Sequence, residues 1–251
     1  MKRAVMVTGG AVRIGAEIVR GFAALGHPVI IHCRRSRDAA ESLAKSIGLQ
    51  GGRAHVLDAD LASPDEVEGL VLRALNLEPD LGILINNASV FEIDQPDLPD
   101  AEAWREAMMT NAYAPTRLAA DLHRAVANGV VVAILDQKLA NPNPDYFSYT
   151  ASKAALQETV RMQAMAFAPR TRLYAVLPGL TLPSGDQTRE EHAASAVMNL
   201  LQRRTTPADV VAAVLFAASG ALASGETILV DGGQHLTPQS RDVMFLVRGQ
   251  T

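Results

Sequence analysis

The 251-residue sequence predicts an α/β fold: one domain over 1–251, built on a doubly wound, seven-stranded, mainly parallel sheet with helices on both faces. Three observations predict it. Seven short apolar runs recur, "AVMVTG", "PVIIHC", "AHVLDAD", "GILINNA", "GVVVAIL", "RLYAVLPG" and "ETILVDGG", each followed by turn, polar or glycine-rich residues. Helix-length stretches separate most of them, which is βαβα order. The runs are continuously apolar rather than alternating, as in parallel strands buried on both faces.

The elements follow in order. The first run closes in "TGGAVRIG", residues 8–15, and the next stretch sets Ile14, Ile18, Phe22 and Leu25 three or four apart on one helical face, with Gly26 as its stop. The second run ends in "HCRRS", the third in "DADL" and the fourth in "NNAS". In "AEAWREAMMTNAYAP", Trp104, Ala107, Met108 and Asn111 fall at helical spacings, and Trp104 reads as a core or subunit contact. The fifth run leads to Asp136, and a helix then carries Tyr149 and Lys153. After the sixth run comes an excursion over about 180–206, where active-site lids tend to sit. "VVAAVLFAASGALASG" is shorter than the roughly 18 residues of a membrane span and reads as a buried helix ending near Gly220. In the tail, about 236–251, Val243, Phe245, Leu246 and Val247 are expected to pack on a neighbouring subunit's pocket.

Composition narrows the function classes. With 48% hydrophobic residues the chain can bury a full core, and a net charge of −4 exerts no general pull toward nucleic acid or an anionic membrane. Cys33, the one cysteine, cannot form an internal disulfide, and no leader-like apolar segment follows "MKRAVMVTGG", which favours a reducing cytoplasm. His32 and His55 lie in apolar surroundings and read as packed; no cluster has metal-ligand spacing, so no metal is expected.

In doubly wound sheets ligands bind beyond the carboxyl ends of the strands. Gly9, Gly10 and Gly15 suit a tight turn and a close backbone approach to a pyrophosphate at a helix amino end, although an ordinary glycine-rich turn would look the same. Arg34, Arg35 and Ser36 occupy the place where an NAD site carries an acid. Unless they form a solvated turn, guanidinium groups there match the 2′-phosphate of NADP, and Arg13 is placed to reach the same phosphate. Tyr149 and Lys153, four apart, share a helical face. The ammonium is expected to lower the phenol pKa and so make a better proton donor near neutral pH.

From Ala4 to His235 these motifs resemble the short-chain dehydrogenase/reductase superfamily, whose fold is Rossmann-like. The resemblance implies cofactor contacts from Thr8, Gly9, Arg13, Ile14 and Gly15 of "TGGAVRIG", from Asp60 and Leu61 of "DADL", and from Asn87 and Ala88 of "NNAS". It makes Pro178 and Gly179 the nicotinamide-side turn, Asn111 of "TNAY" the active-site asparagine and "YTASK" the catalytic pair. Hydride transfer at nicotinamide C4 is implied, with Tyr149 as proton donor, Lys153 on the nicotinamide ribose and Asn111 positioning a water. Pairing of copies through helices into a homodimer or homotetramer is implied as well.

Two departures from that pattern narrow the resemblance. Arg13 replaces the usual third glycine and Asp136 the usual serine; with "RRS", both are similar to the pteridine reductases and bacterial dihydromonapterin reductases. This implies NADPH as cofactor, Arg13 near the cofactor phosphates and substrate, Leu180 and Ser89 in the substrate pocket, and Phe91 sandwiching a pterin against the nicotinamide. Phe91 also reads as a satellite core residue and Asp136 as a capping or loop aspartate. An ionised carboxylate accepts hydrogen bonds and donates none, so Asp136 is poorly suited to polarising a ketone. A small-molecule reductase is therefore expected, on a dihydropterin or related pteridine. A reductase of another small carbonyl such as a 3-oxoacyl thioester, and an idle NADP-binding sensor or scaffold, are the alternatives.

Overall fold

The computed structural model describes residues 2–249. Strand β1 (Ala4–Val7) leads through the glycine turn into helix α1 (Arg13–Ala24), and β2 (Val29–Cys33) into α2 (Arg37–Leu49). Next come β3 (Ala54–Asp58), the short α3 (Pro64–Val67) and α4 (Leu70–Leu77), then β4 (Leu81–Asn86). Helices α5 (Ala101–Met108) and α6 (Ala114–Ala125) are joined without a break by one widened, π-helical turn over Met109–Tyr113. Strand β5 (Gly129–Ile134), a 3₁₀ turn over Gln137–Ala140, the long α7 (Phe147–Phe167) and β6 (Thr171–Pro178) follow. The chain ends with α8 (Arg189–Ser195), α9 (Pro207–Ala218), β7 (Thr227–Val230) and α10 (Val243–Val247).

The strands lie in the order β3-β2-β1-β4-β5-β6-β7, all parallel. Alternate residues of each central strand therefore face opposite layers. Val5 and Val7 of β1 pack with α1, α2 and α9, through residues such as Ile18, Leu43 and Val214. Ala4 and Met6 pack with α4, α6 and α7, through Val71, Leu118 and Leu156. Every residue of β1, β2, β4 and β5 is buried, which is why those runs carry no polar alternation. No helix among the described residues is long and apolar enough to cross a membrane; the apolar stretch after Pro207 is α9, which ends just before Gly220 at φ 75°.

The winding reverses between β1 and β4, whose connections leave in opposite directions and open a crevice at their carboxyl ends. A cleft of about 530 Å³ occupies that crevice, within the size range of small-molecule sites.

Candidate active site

The floor of the cleft is the turn after β1. Gly9, at φ 60°, leaves no room for a side chain: a Cβ there would stand 2.9 Å from the Cα of Ala88. A Cβ on Gly15 would stand 2.1 Å from the Gly9 carbonyl oxygen, so the first turn of α1 lies directly against the loop. Thr8 braces the two halves of the crevice. Its Oγ1 accepts from the amides of Asn87 (3.0 Å) and Ala88 (3.1 Å), while Asn87 Nδ2 donates to the carbonyls of Thr8 (3.0 Å) and Gly9 (3.1 Å). Thr8 itself is buried and does not line the cleft, so its part is to hold the loop.

His32 is packed, and it also pins this loop. Its Nδ1 accepts from the Gly9 amide at 3.2 Å and its Nε2 lies 3.2 Å from the Ala59 carbonyl, which fixes the proton on Nε2. Burial pushes its pKa down to about 4, so the ring stays neutral and keeps this tautomer. Ile14, Asp60, Leu61 and Ala88 line the same end of the cleft.

At the end of β2, Arg34 is engaged by two carboxylates, Asp60 at 3.3 Å and Glu106 at 3.2 Å. Arg35 and Ser36 line the cleft beside it; Arg35 enters no salt bridge among the described residues and the Ser36 hydroxyl does not cap α2. A phosphate at this corner would thus meet Arg35, Ser36 and the open amides of α2. No acidic side chain stands in the first turn of α1, and its cap residue, Val12, leaves the leading amides free. These features fit a dinucleotide with a phosphorylated ribose. Arg13 does not join that corner. At φ 54° it starts α1 and its guanidinium donates to the Pro183 carbonyl at 2.8 Å, which ties it to the loop after β6.

The other end of the cleft is built on β5 and α7. Asp136, just past β5, caps the 3₁₀ turn by accepting from the Lys138 amide at 2.8 Å, and its second oxygen accepts from the Tyr149 hydroxyl at 2.8 Å. Asp136 is thus at once a cap of the 3₁₀ turn and the acceptor of the Tyr149 hydroxyl. Lys153 lies one turn along α7 and donates to the Ile134 carbonyl at 2.8 Å.

The pKa pattern corrects the expectation for Tyr149. Burial, and after it the neighbouring Asp136, push the phenol well above its usual value. Lys153 does not offset this: its ammonium sits 5.7 Å from the ring centroid, turned toward a carbonyl, and burial lowers its own pKa to about 8. Burial also raises Asp136, against the opposing pull of the Lys138 amide and the Tyr149 hydroxyl.

Asn111 lies in the π-helical turn. Its Oδ1 accepts from the Val90 amide (2.8 Å) and the Ser89 hydroxyl (3.1 Å), and its Nδ2 donates to the Val90 carbonyl (3.0 Å) and Ser152 Oγ (3.0 Å). With those bonds made, its side chain has no position open for a water. A water held by this residue would have to use its main chain. The side chain instead fixes the Ser89–Val90 turn beside the cleft.

Sequence reasoning passed over several residues at this end. Tyr146 stands before α7 in the left-handed region, φ 55°, with its ring stacked on Phe91 at 4.1 Å between centroids. Phe91 meets Tyr149 edge-on at 4.6 Å, so the three rings form one wall and Phe91 is not a separate core cluster. Thr110, Gln187 and Asp242 also line the cleft. Gln187 lies in the excursion, Asp242 in the tail, and Thr110 beside Asn111 in "TNAY", whose motif signal could have drawn attention to it.

The excursion folds over the cleft, bringing Leu180, Thr181, Leu182 and Gln187 to it beyond Pro178 and Gly179. The tail corrects part of another expectation: Val243 and Phe245 are buried within this chain, beside its own cleft, while Leu246 and Val247 are half-buried. Met244 and Phe245 are buried with Tyr146 and Tyr149. Arg241 holds the fully buried Asp145 through three bonds of 2.9–3.0 Å, and Asp145 also accepts from the Asp242 amide. Arg248 reaches Glu191 of α8 at 2.8 Å and Asp186 at 3.1 Å. No group of three or more His, Cys, Asp or Glu among the described residues could hold a metal.

The family model described as enoyl-(acyl carrier protein) reductase matches residues 10–235. An uncharacterised oxidoreductase of Mycobacterium tuberculosis is 31% identical over 91% of this chain and 90% of its own length. A dihydromonapterin reductase of an Enterobacter species is 25% identical over 94% of this chain and 98% of its own. Among solved structures, the FolM alternative dihydrofolate reductase 1 of Brucella suis, in complex with NADP, superposes with a TM-score of 0.91 at 39% identity, covering 96% of this chain and 98% of that one. The glycine turn braced by Thr8, the Tyr149–Lys153 face of α7 and a family match spanning nearly the whole sheet agree: the chain belongs to the short-chain dehydrogenase/reductase family.

Proposed function

We propose that the chain is an NADPH-dependent reductase of a dihydropterin or related pteridine, with Tyr149 as proton donor and Asp136 and Lys153 beside it. The observation that carries the reading is the 2.8 Å hydrogen bond from the Tyr149 hydroxyl to Asp136. Ketone reduction gains from a second donor that stabilises the oxygen's developing charge, which an ionised carboxylate cannot supply, so Asp136 would leave Tyr149 as the lone donor there. A C=N bond needs a proton delivered to nitrogen, and a phenol backed by a carboxylate supplies that.

Bound in this cleft, NADPH supplies a hydride from nicotinamide C4. The remaining work falls to the chain's own groups. Tyr149, with its pKa held well above the usual phenol value, stays protonated at neutral pH and carries the proton to be donated. Asp136, pushed up by burial, takes up a proton more readily than an exposed carboxylate and can return one to the phenol oxygen along the existing bond. The outer face of Phe91, backed by the stacked Tyr146 ring, offers a flat apolar surface to a planar substrate. Gly9, Arg35 and Ser36 fit the cofactor, and the similar Brucella suis protein was crystallised with NADP. The names of that structure and of the Enterobacter relative support the pteridine reading.

The test is loss of NADPH absorbance with dihydromonapterin, dihydrobiopterin, dihydrofolate and an acetoacetyl thioester, with NADH in parallel. Pteridine-dependent oxidation that disappears in Tyr149→Phe is expected. Turnover of the thioester alone would replace this reading with the small-carbonyl one, and cofactor binding without any turnover would favour a sensor.

A further inference from the structure

At the substrate end of the cleft each cationic side chain holds a backbone carbonyl. Lys153 donates to Ile134, Lys138 to Asp145 and Arg13 to Pro183. The groups left over are acceptors. Gln187, only 8% exposed and lining the cleft, donates through Nε2 to Ser195 while its Oε1 is buried with no partner. Asp242 lines the cleft too. One of its oxygens accepts from the Met244 amide at 3.1 Å; the other has only Lys138 Nζ, at 3.7 Å, beyond hydrogen-bond range.

Asp242 is also firmly placed. Its amide donates to the buried Asp145 at 2.7 Å, and Arg241 next to it clamps the same carboxylate. Gln187 Oε1 is a buried acceptor without a donor, which costs about 1–3 kcal/mol, and Asp242 is a half-buried carboxylate whose second oxygen meets only Lys138 at 3.7 Å; the two describe a ligand by what they lack. That ligand is flat, to lie along the Phe91 ring, and carries N–H donors on its edge. A carboxylate beside a carboxamide oxygen suits an exocyclic amine adjoining a ring N–H.

We propose that Asp242 and Gln187 are specificity-determining residues, which accept hydrogen bonds from the 2-amino and ring N–H edge of an aminopteridine. The inference rests on the pteridine reading above and assigns the recognition to the tail and the excursion, outside the Tyr149 motif.

The experiment measures kcat and KM with NADPH for a dihydropterin and for its analogue lacking the 2-amino group, in wild type, Asp242→Asn and Gln187→Met. Wild type is expected to favour the amino compound by roughly 10- to 100-fold in kcat/KM. Asparagine can still cap the Met244 amide through Oδ1, but then presents an NH₂ group to the ligand's own donors. In Asp242→Asn the preference should fall below about threefold, mainly through KM; Gln187→Met should lose part of it and provides the reading if the first variant does not fold. Unchanged discrimination in both variants, with pteridine turnover intact, overturns this inference and leaves the proposed function standing. Absence of pteridine turnover in wild type overturns both.

Discussion

The Tyr149 hydroxyl donates to Asp136 Oδ2 at 2.8 Å, with Tyr149 buried and Asp136 half-buried where β5 meets α7. The phenol proton thus points at a carboxylate in the absence of substrate, so donation to substrate requires that bond to be exchanged. Removing the hydroxyl in Tyr149→Phe should lower kcat by about 10²- to 10⁴-fold, with the NADPH Kd little changed. Asp136→Asn can keep the cap on the Lys138 amide but cannot relay a proton, and kcat on a pteridine should fall about 10- to 100-fold. Wild-type kcat in Asp136→Asn would remove the carboxylate from the proton path.

Burial lowers Lys153 to about pH 8. For an amine the charged form exists below that value and is lost as pH rises through it. If the ammonium holds the nicotinamide ribose, kcat/KM should be level from about pH 6 to 7.5 and decline above about 8. A pH–rate profile that stays flat to 9.5 would contradict this assignment.

Arg35 is the guanidinium at the β2 corner that carries no salt bridge among the described residues, whereas Arg34 is shared between Asp60 and Glu106. Arg35→Asp should therefore weaken NADPH binding by roughly 10- to 100-fold and NADH binding far less, since a charge-assisted hydrogen bond contributes about 1.5–3 kcal/mol. Arg34→Ala should have the smaller effect on the NADPH to NADH ratio. Titration of both cofactors by fluorescence would read each change.

Glu191 is held down to about pH 2, first by its hydrogen bond with Arg248 and then by the Thr188 amide. A carboxylate with a depressed pKa stabilises the fold above its unfolded value and loses that contribution as pH falls through the folded one. The grip of α8 on the tail should loosen between about pH 4.5 and 2. Hydrogen exchange over residues 242–249, corrected for intrinsic rates, should rise in that window in wild type and be already high at pH 7 in Arg248→Ala.

The strands were legible because burial on both faces removes polar residues and leaves unbroken runs such as "GVVVAIL". The Tyr149–Lys153 pair was legible because helical spacing alone puts the two on one face. The widened turn at Met109–Tyr113 was not: Trp104, Ala107, Met108 and Asn111 satisfy an ordinary helical period, and one inserted residue does not disturb it. Direction was also hidden. Arg13 sits in the glycine loop yet its guanidinium reaches Pro183, a partner 170 residues away that spacing does not report. The rise in the Tyr149 pKa depends on desolvation by the tail and the ring wall, which spacing along one helix does not report. Tyr146 carried no signal in its spacing from Lys153; the interaction that matters is its stacking on Phe91.

Of the three described non-glycine residues with positive φ, two, Arg13 and Tyr146, border the cleft. Each is held in a conformation that costs an L-residue about 1–2 kcal/mol and glycine almost nothing. A library of variants ranked by melting temperature alone would enrich glycine at both places, and would strip out the Arg13 tether to the lid and the Tyr146 ring. Robustness and chemistry thus favour opposite residues at these two places, so the pocket's designability is lowest where its usefulness is greatest.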